Sequence, residues 1–319
     1  MNETLSGVDP ALREALRQSA ELAAAHGNSN DGIAGLRRGM ELTRQYWNEG
    51  GPSMRAIERV RVPVEGGTVS IVVYRPEDGP ALLPAFVYLH GGGFKTGSEW
   101  TNDRQMREIA KAWGGIVVSA DYAHAPEHRF PVAVEQTASL LRALHARGDA
   151  WGIDGDRLAC GGCSAGANVS FGAAVALGRQ PWLQAAVGIV GAFNGDTSTD
   201  SMRRHGNAGL FPDLASVPPI FGDYLPDGAS RNDPRANLLL ADPGLLPTTF
   251  LAAAQFDVFL DASSAMARSL ESAGRLDRLE IYRGMTHLFF GFSRSVEGAA
   301  QCTRDIGGFL ARVLPPGRR

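Results

Sequence analysis

Apolar and polar positions follow two rhythms along this chain, and the switch between them sets its architecture. Ala56 to Val62 and Thr68 to Tyr74 alternate apolar with polar, with Glu65-Gly66-Gly67 between them. A period of two places successive side chains on opposite faces of a strand, so this stretch predicts an antiparallel hairpin. From there short apolar runs take turns with runs of helical spacing. Strands are predicted at about 83–90, 115–121, 157–161 and 183–191, with helices at 101–113, 131–147 and 165–177. A further strand covers Thr248 to Gln255, a helix Ala262 to Ala273, and a strand Arg278 to Tyr282. Unbroken apolar runs are strands buried on both faces, and strand–helix alternation requires crossovers. The pattern therefore predicts an α/β fold with a mostly parallel, doubly wound sheet.

Two segments fall outside that rhythm. Asp9-Pro10 looks like an N-cap with Pro at the first helical position, opening a helix to about His26 that Gly27 closes. A second helix runs from about Gly32 to Asn48 and stops at Gly50-Gly51. Their apolar positions (Leu12, Leu16, Leu22; Leu36, Leu42, Tyr46, Trp47) must pack on something. Phe193 to Pro247 is rich in Pro, Gly, Asp and Asn. A structureless loop of that length is uncommon inside a compact domain, so it reads as a lid inserted between strands. Its aromatics Phe211, Phe221 and Tyr224 either line a substrate pocket or anchor the lid to the core.

The chemistry centres on Gly162-Cys163-Ser164-Ala165-Gly166, which joins a short apolar run to a helical one. Strand, tight turn with Ser at its tip, then helix is the layout of a nucleophile elbow. The turn strains the Ser backbone, the flanking glycines let strand and helix approach, and the next N–H lies at a helix N-terminus. Upstream, a buried strand ends in His90-Gly91-Gly92-Gly93-Phe94. Glycines there free backbone N–H groups to face a cavity, as acyl transfer requires for its oxyanion. A phosphate loop is excluded, because Ser98 follows Gly97 where a P-loop needs Lys. Downstream, Asp257 lies just past one strand and His287 in the loop after the next. The order Ser…Asp…His is that of α/β-hydrolases. A Ser hydroxyl needs an imidazole to take its proton, and the imidazole needs a carboxylate to fix its tautomer. Asp261 is a rival for that carboxylate. Asp257 is favoured because it comes first after the strand, while Asp261 suits the N-cap of the helix that follows.

These motifs, with Asp121-Tyr122…Ala125-Pro126-Glu127-His128…Phe130-Pro131 and Gly284-Met285-Thr286-His287, resemble the hormone-sensitive-lipase-like branch of the α/β-hydrolases. They span roughly residues 84–290. The resemblance implies a carboxylic ester hydrolase with Ser164 as nucleophile, His287 as base and Asp257 as its orienter. It implies an oxyanion hole from the N–H groups of Gly92, Gly93 and Ala165, and no cofactor or metal. It also implies that the N-terminal helices form a cap. The expected organisation is thus cap helices over 1–52 and a hydrolase core over 53–319, with a cap insertion at about 193–247. The sheet is expected to have eight strands. The family's dimerisation carries over as an expected homodimer.

The chain departs from the family pattern in places. Cys163 stands where the family has Asp or Thr before the nucleophile, and Leu288-Phe289 where Gly-Phe follows the His. The family's Tyr-Arg-Leu-Ala-Pro-Glu run is here Tyr122-Ala123-His124-Ala125-Pro126-Glu127. With Phe94, Cys163 and Leu288 are expected at the substrate pocket, whose shape they set. The substrates expected are small esters with short to medium acyl chains or compact cyclic or aromatic groups. A lactonase, amidase or formamidase could use the same triad, and a non-catalytic receptor could share the fold.

Other readings are weaker. Cys163 as nucleophile would need an exposed, low-pKa setting, so a packed thiol is the simpler reading. His124-Ala125-Pro126-Glu127-His128 matches a zinc-protease pattern, but that motif works on a helix and Pro126 disfavours one. With 31 Lys and Arg against 34 Asp and Glu, a basic nucleic-acid patch is not expected. Three cysteines offer no disulfide framework, which fits a reducing, cytoplasmic setting. Met1 to Ser6 lacks a basic and then apolar leader, so no signal peptide is expected, and no apolar stretch approaches a spanning helix.

Overall fold

Eight strands form one sheet in the order β1-β2-β4-β3-β5-β6-β7-β8 in the computed structural model, which describes residues 6–26, 31–77 and 79–317. They are β1 (Ala56–Val64), β2 (Gly67–Arg75), β3 (Leu83–Leu89), β4 (Ile116–Asp121), β5 (Ile153–Cys163), β6 (Leu183–Ile189), β7 (Thr248–Phe256) and β8 (Leu276–Thr286). β2 pairs antiparallel with β1 and β4, and every other pairing is parallel. The hairpin expected from period-two alternation is thus the β1–β2 edge, and the solid apolar runs are the parallel centre. Every residue of β3 is buried. Its side chains divide between the faces: Ala85, Val87 and Leu89 enter one core, Phe86 and Tyr88 the other. β5 begins earlier than its apolar run suggests, because Asp154 to Asp156 are polar, and its pairing with β6 shifts between Leu158 and Ala159.

The helices are α1 (Pro10–His26), α2 (Gly32–Asn48), α3 (Asp103–Trp113), α4 (Val132–Arg147), α5 (Ala165–Leu177), α6 (Asp200–His205), α7 (Val217–Tyr224), α8 (Leu260–Ser272) and α9 (Glu297–Val313). α4, α5 and α8 bury against one sheet face, α3 and α9 against the other. Asp9 caps α1 as expected, its Oδ1 accepting from the N–H groups of Ala11 (2.8 Å) and Leu12 (3.1 Å). Gly27, expected to close that helix, lies outside the described residues.

Two expectations are corrected. α2 does not bury its leucines: Leu36 and Leu42 are exposed. It turns Gly35, Gly39, Thr43, Arg44 and Trp47 inward instead. Small residues spaced four apart let the helix lie close to its support, with Trp47 filling the space at its end. Asp261 is not an N-cap. It lies inside the first turn of α8, and its Oδ2 accepts from the N–H of Ser201, 2.7 Å away at the start of α6.

The 193–247 segment holds α6, α7 and short 3₁₀ turns. Buried Asn168 on α5 ties its start to its later part, Nδ2 donating to the carbonyls of Ala192 and Ala236 at 2.8 Å each. No helix among the described residues is long and apolar enough to cross a membrane.

Candidate active site

Ser164 sits between β5 and α5 with φ 55° and ψ −117°, a conformation costly for a residue with a Cβ. Its N–H donates to the Ile189 carbonyl at 2.8 Å, which helps hold the turn. Strand and helix can meet there only because Gly162 and Gly166 lack side chains. A Cβ on Gly166 would lie 2.1 Å from the Leu89 carbonyl oxygen.

The loops after β7 and β8 carry the partners. His287 Nε2 lies 2.8 Å from Ser164 Oγ, and its Nδ1 lies 2.9 Å from Asp257 Oδ2. A carboxylate can only accept, so Nδ1–H donates to it and Nε2 faces the Ser hydroxyl as a base. The other Asp257 oxygen accepts from the N–H of Phe259 at 3.0 Å. Asp257 and His287 are both buried, so their orientation is set by packing as well as hydrogen bonds. Asp261 takes no part in this chain of contacts.

The loop after β3 supplies the donors. Gly92 has φ 136° and Gly93 φ 60°. A Cβ on Gly92 would lie 2.0 Å from the Thr96 carbonyl oxygen, so only glycine fits this turn. The carbonyl of Gly92 accepts from the N–H groups of Lys95 and Thr96 at 3.1 Å each, which folds the loop back on itself. The N–H groups of Gly92, Gly93 and Ala165 donate to no other group among the described residues. Three free donors beside a Ser hydroxyl can stabilise an oxyanion formed by its attack on a carbonyl.

A cavity of about 300 Å³ opens beside Ser164, lined mostly by apolar groups. A model of the alpha/beta hydrolase fold family matches residues 86–291, which include every one of these catalytic-site groups. The chain belongs to the α/β-hydrolase fold family. Its likeness to solved hydrolases extends over nearly the whole chain. It is similar to an esterase of the archaeon Pyrobaculum calidifontis (28% identity, TM-score 0.86, covering 96% of this chain and 98% of that one). It is similar to a thermostable carboxylesterase cloned from a metagenomic library (29% identity, TM-score 0.84, covering 89% of this chain and 98% of that one). A thermostable esterase of Pseudomonas putida matches at 25% identity, TM-score 0.85, covering 97% of this chain and 98% of that one. These matches bear out the resemblance drawn from the motifs.

In this α/β-hydrolase, Phe94, Cys163, Phe211 and Leu288 line the cavity. Phe221 and Tyr224 do not. Both are buried, and Tyr224 stacks face to face on Phe94 at 3.8 Å between ring centroids while Phe221 meets the same ring edge-on. They anchor α7 to the loop of free donors. Cys163 is half-buried, and desolvation pushes its thiol up to about 12. It is protonated at neutral pH and hence a poor nucleophile.

The structure adds a residue that sequence reasoning missed. Arg44 of α2 lines the cavity and is almost fully buried, with no carboxylate partner among the described residues. Its Nε donates to the Thr101 carbonyl at 2.7 Å and its Nη2 to the Gly291 carbonyl at 2.9 Å. Burial lowers its pKa to about 10, so it still carries its charge at neutral pH. Nothing in the helical pattern distinguishes it from solvent-facing arginines such as Arg38; only the packing does.

Proposed function

We infer that this protein is a serine carboxylic ester hydrolase. The observation that carries the reading is the unbroken chain Ser164 Oγ···His287 Nε2 (2.8 Å) and His287 Nδ1···Asp257 Oδ2 (2.9 Å), set beside three unclaimed backbone donors. Ser164 attacks the ester carbonyl as His287 Nε2 takes its proton. The N–H groups of Gly92, Gly93 and Ala165 receive the oxyanion. His287 then protonates the departing alcohol and leaves an acyl-enzyme. Water attacks that ester with His287 again as base, releasing the acid. Asp257 stabilises the imidazolium in both halves. The similarity to a solved esterase and a solved carboxylesterase supports this bond class.

A cavity of about 300 Å³ suits small esters with short to medium acyl chains or compact rings. The N-terminal helices and the 193–247 segment act as its cap, since Met40, Phe211 and Ile220 from them line it. The partners in this reading are the ester and water, and its three unpaired cysteines suit a cytoplasmic setting.

The test is hydrolysis of p-nitrophenyl acetate, butyrate, octanoate and laurate by wild type and Ser164→Ala. The reading requires turnover that Ser164→Ala abolishes and that falls toward laurate. Turnover rising toward laurate would remove the small capped pocket. Absence of Ser164-dependent turnover on every ester would remove the esterase reading.

A further inference from the structure

Behind the loop of free donors, three side chains point polar atoms at one another. His90 Nε2 lies 3.6 Å from Asp121 Oδ1, and His124 Nε2 lies 3.5 Å from the same oxygen. All three atoms lie within 4.8 Å of one another. All three are buried, and none finds a hydrogen-bond partner among the described residues. His90 is fully buried.

The tautomer of His90 makes the arrangement unfavourable as it stands. Its Nδ1 lies 2.9 Å from the Gly91 carbonyl oxygen. A carbonyl only accepts, so Nδ1 carries a proton, and in the neutral ring Nε2 presents a lone pair. That lone pair faces a carboxylate oxygen, which is also an acceptor. Two buried acceptors turned toward each other repel unless something positive lies between them.

We propose that His90, Asp121 and His124 form a binding site for a divalent transition cation of the zinc class. Zinc binds imidazole nitrogen and carboxylate oxygen at about 2.0–2.2 Å, which places tetrahedral ligand atoms roughly 3.3–3.6 Å apart. The two measured separations fall at the upper end of that range. Two nitrogens and one oxygen suit zinc-class ions over magnesium or calcium, which prefer all-oxygen sites. The bond from Nδ1–H to a backbone carbonyl is the contact that orients a metal-binding imidazole. The ring itself needs the gap at Gly97, where a Cβ would lie 2.3 Å from Nδ1. Asp121 and His124 also line an open groove with Gly97 and Glu99, which gives an ion a way in and leaves water as the fourth ligand.

The site differs from the zinc-protease pattern in the sequence. His128 and Glu127 are not part of it, and the residues between 122 and 131 are not helical. His124 stands where the resembled run has Leu, so the site belongs to this chain's own departure from that run. A bound cation ties the end of β4 to the root of the Gly91–Gly93 loop. It positions the loop and touches no reacting atom.

The experiment uses the full chain, stripped with a chelator, equilibrated with Zn²⁺, desalted, and assayed for bound zinc and for thermal midpoint. Wild type is expected to retain one equivalent and to melt higher with Zn²⁺ than without. Asp121→Asn and His124→Leu, each checked for folding by circular dichroism, are expected to lose both effects. His124→Leu is also expected to keep Ser164-dependent ester turnover. Zinc that washes out of wild type, or that His124→Leu retains equally, overturns the proposal. A trapped water bridging the three groups gives the first of those results.

Discussion

Gly162 and Gly166 lie so close across the elbow that a Cβ on Gly162 would stand 2.5 Å from the carbonyl carbon of Gly166. The obstruction is backbone, which cannot swing aside as a flexible side chain can. Gly162→Ala is therefore expected to destabilise the fold by about 1–3 kcal/mol, as overpacking does, and to displace Ser164. Gly308→Ala, with nothing within 4 Å of its new Cβ, is the control. Urea unfolding checks both. Equal midpoints for the two variants would contradict the close approach.

Asp257 and not Asp261 orients His287 in this reading. Asp257→Asn keeps the shape but disfavours the tautomer that leaves Nε2 free to accept. Ester turnover should fall by roughly 10⁴-fold, the order seen when a triad carboxylate is so changed. Asp261→Asn should stay within a few-fold of wild type, since its carboxylate bonds the backbone of Ser201. Comparable losses in both variants would undo the assignment.

Cys163 next to the nucleophile is expected to be inert. With its thiol near 12, the thiolate is scarce at neutral pH. Iodoacetamide should leave it unmodified in the folded protein and alkylate it in urea, as mass spectrometry would show. Cys163→Ser should retain turnover. Rapid native alkylation coupled to loss of activity would reverse this view.

Arg37 of α2 grips Glu127 with two hydrogen bonds of 2.8 Å, and its Nε donates to the Lys95 carbonyl at 2.8 Å. The hydrogen bonds from Arg37 lower the Glu127 carboxyl to about 2. Between that value and the ordinary carboxylate range, the unfolded chain binds more protons than the folded one. The contribution is therefore present above the ordinary Glu pKa and lost as pH falls toward 2. The pair is solvent-exposed and its contribution small. Arg37→Met should lower stability slightly at neutral pH and flatten the acid side of the stability–pH curve, the two proteins converging as pH falls toward 2. Superimposable acid-unfolding curves would show that the pair contributes nothing.

Local pattern determines a large part of this protein. Apolar runs mark the parallel strands because burial on both faces removes alternation, and the elbow is legible because only glycine tolerates the contacts on either side of Ser164. Ser164, Asp257 and His287 could be named because each follows a strand end in an order that one fold uses. Other features depend on which atoms meet across the fold. Phe221, Tyr224 and Phe211 look alike in the sequence, yet two of them pack against Phe94 and the third faces the cavity. Leu36 and Leu42 have the helical spacing of a buried face, but Gly35 and Gly39 are the side that docks. Arg44 is one arginine among many until burial isolates it. His90, Asp121 and His124 come from two strand ends and a loop, and only the β3–β4 pairing brings their unpaired atoms to one point. Periodicity reports which face of an element is apolar; tertiary packing alone decides what that face meets.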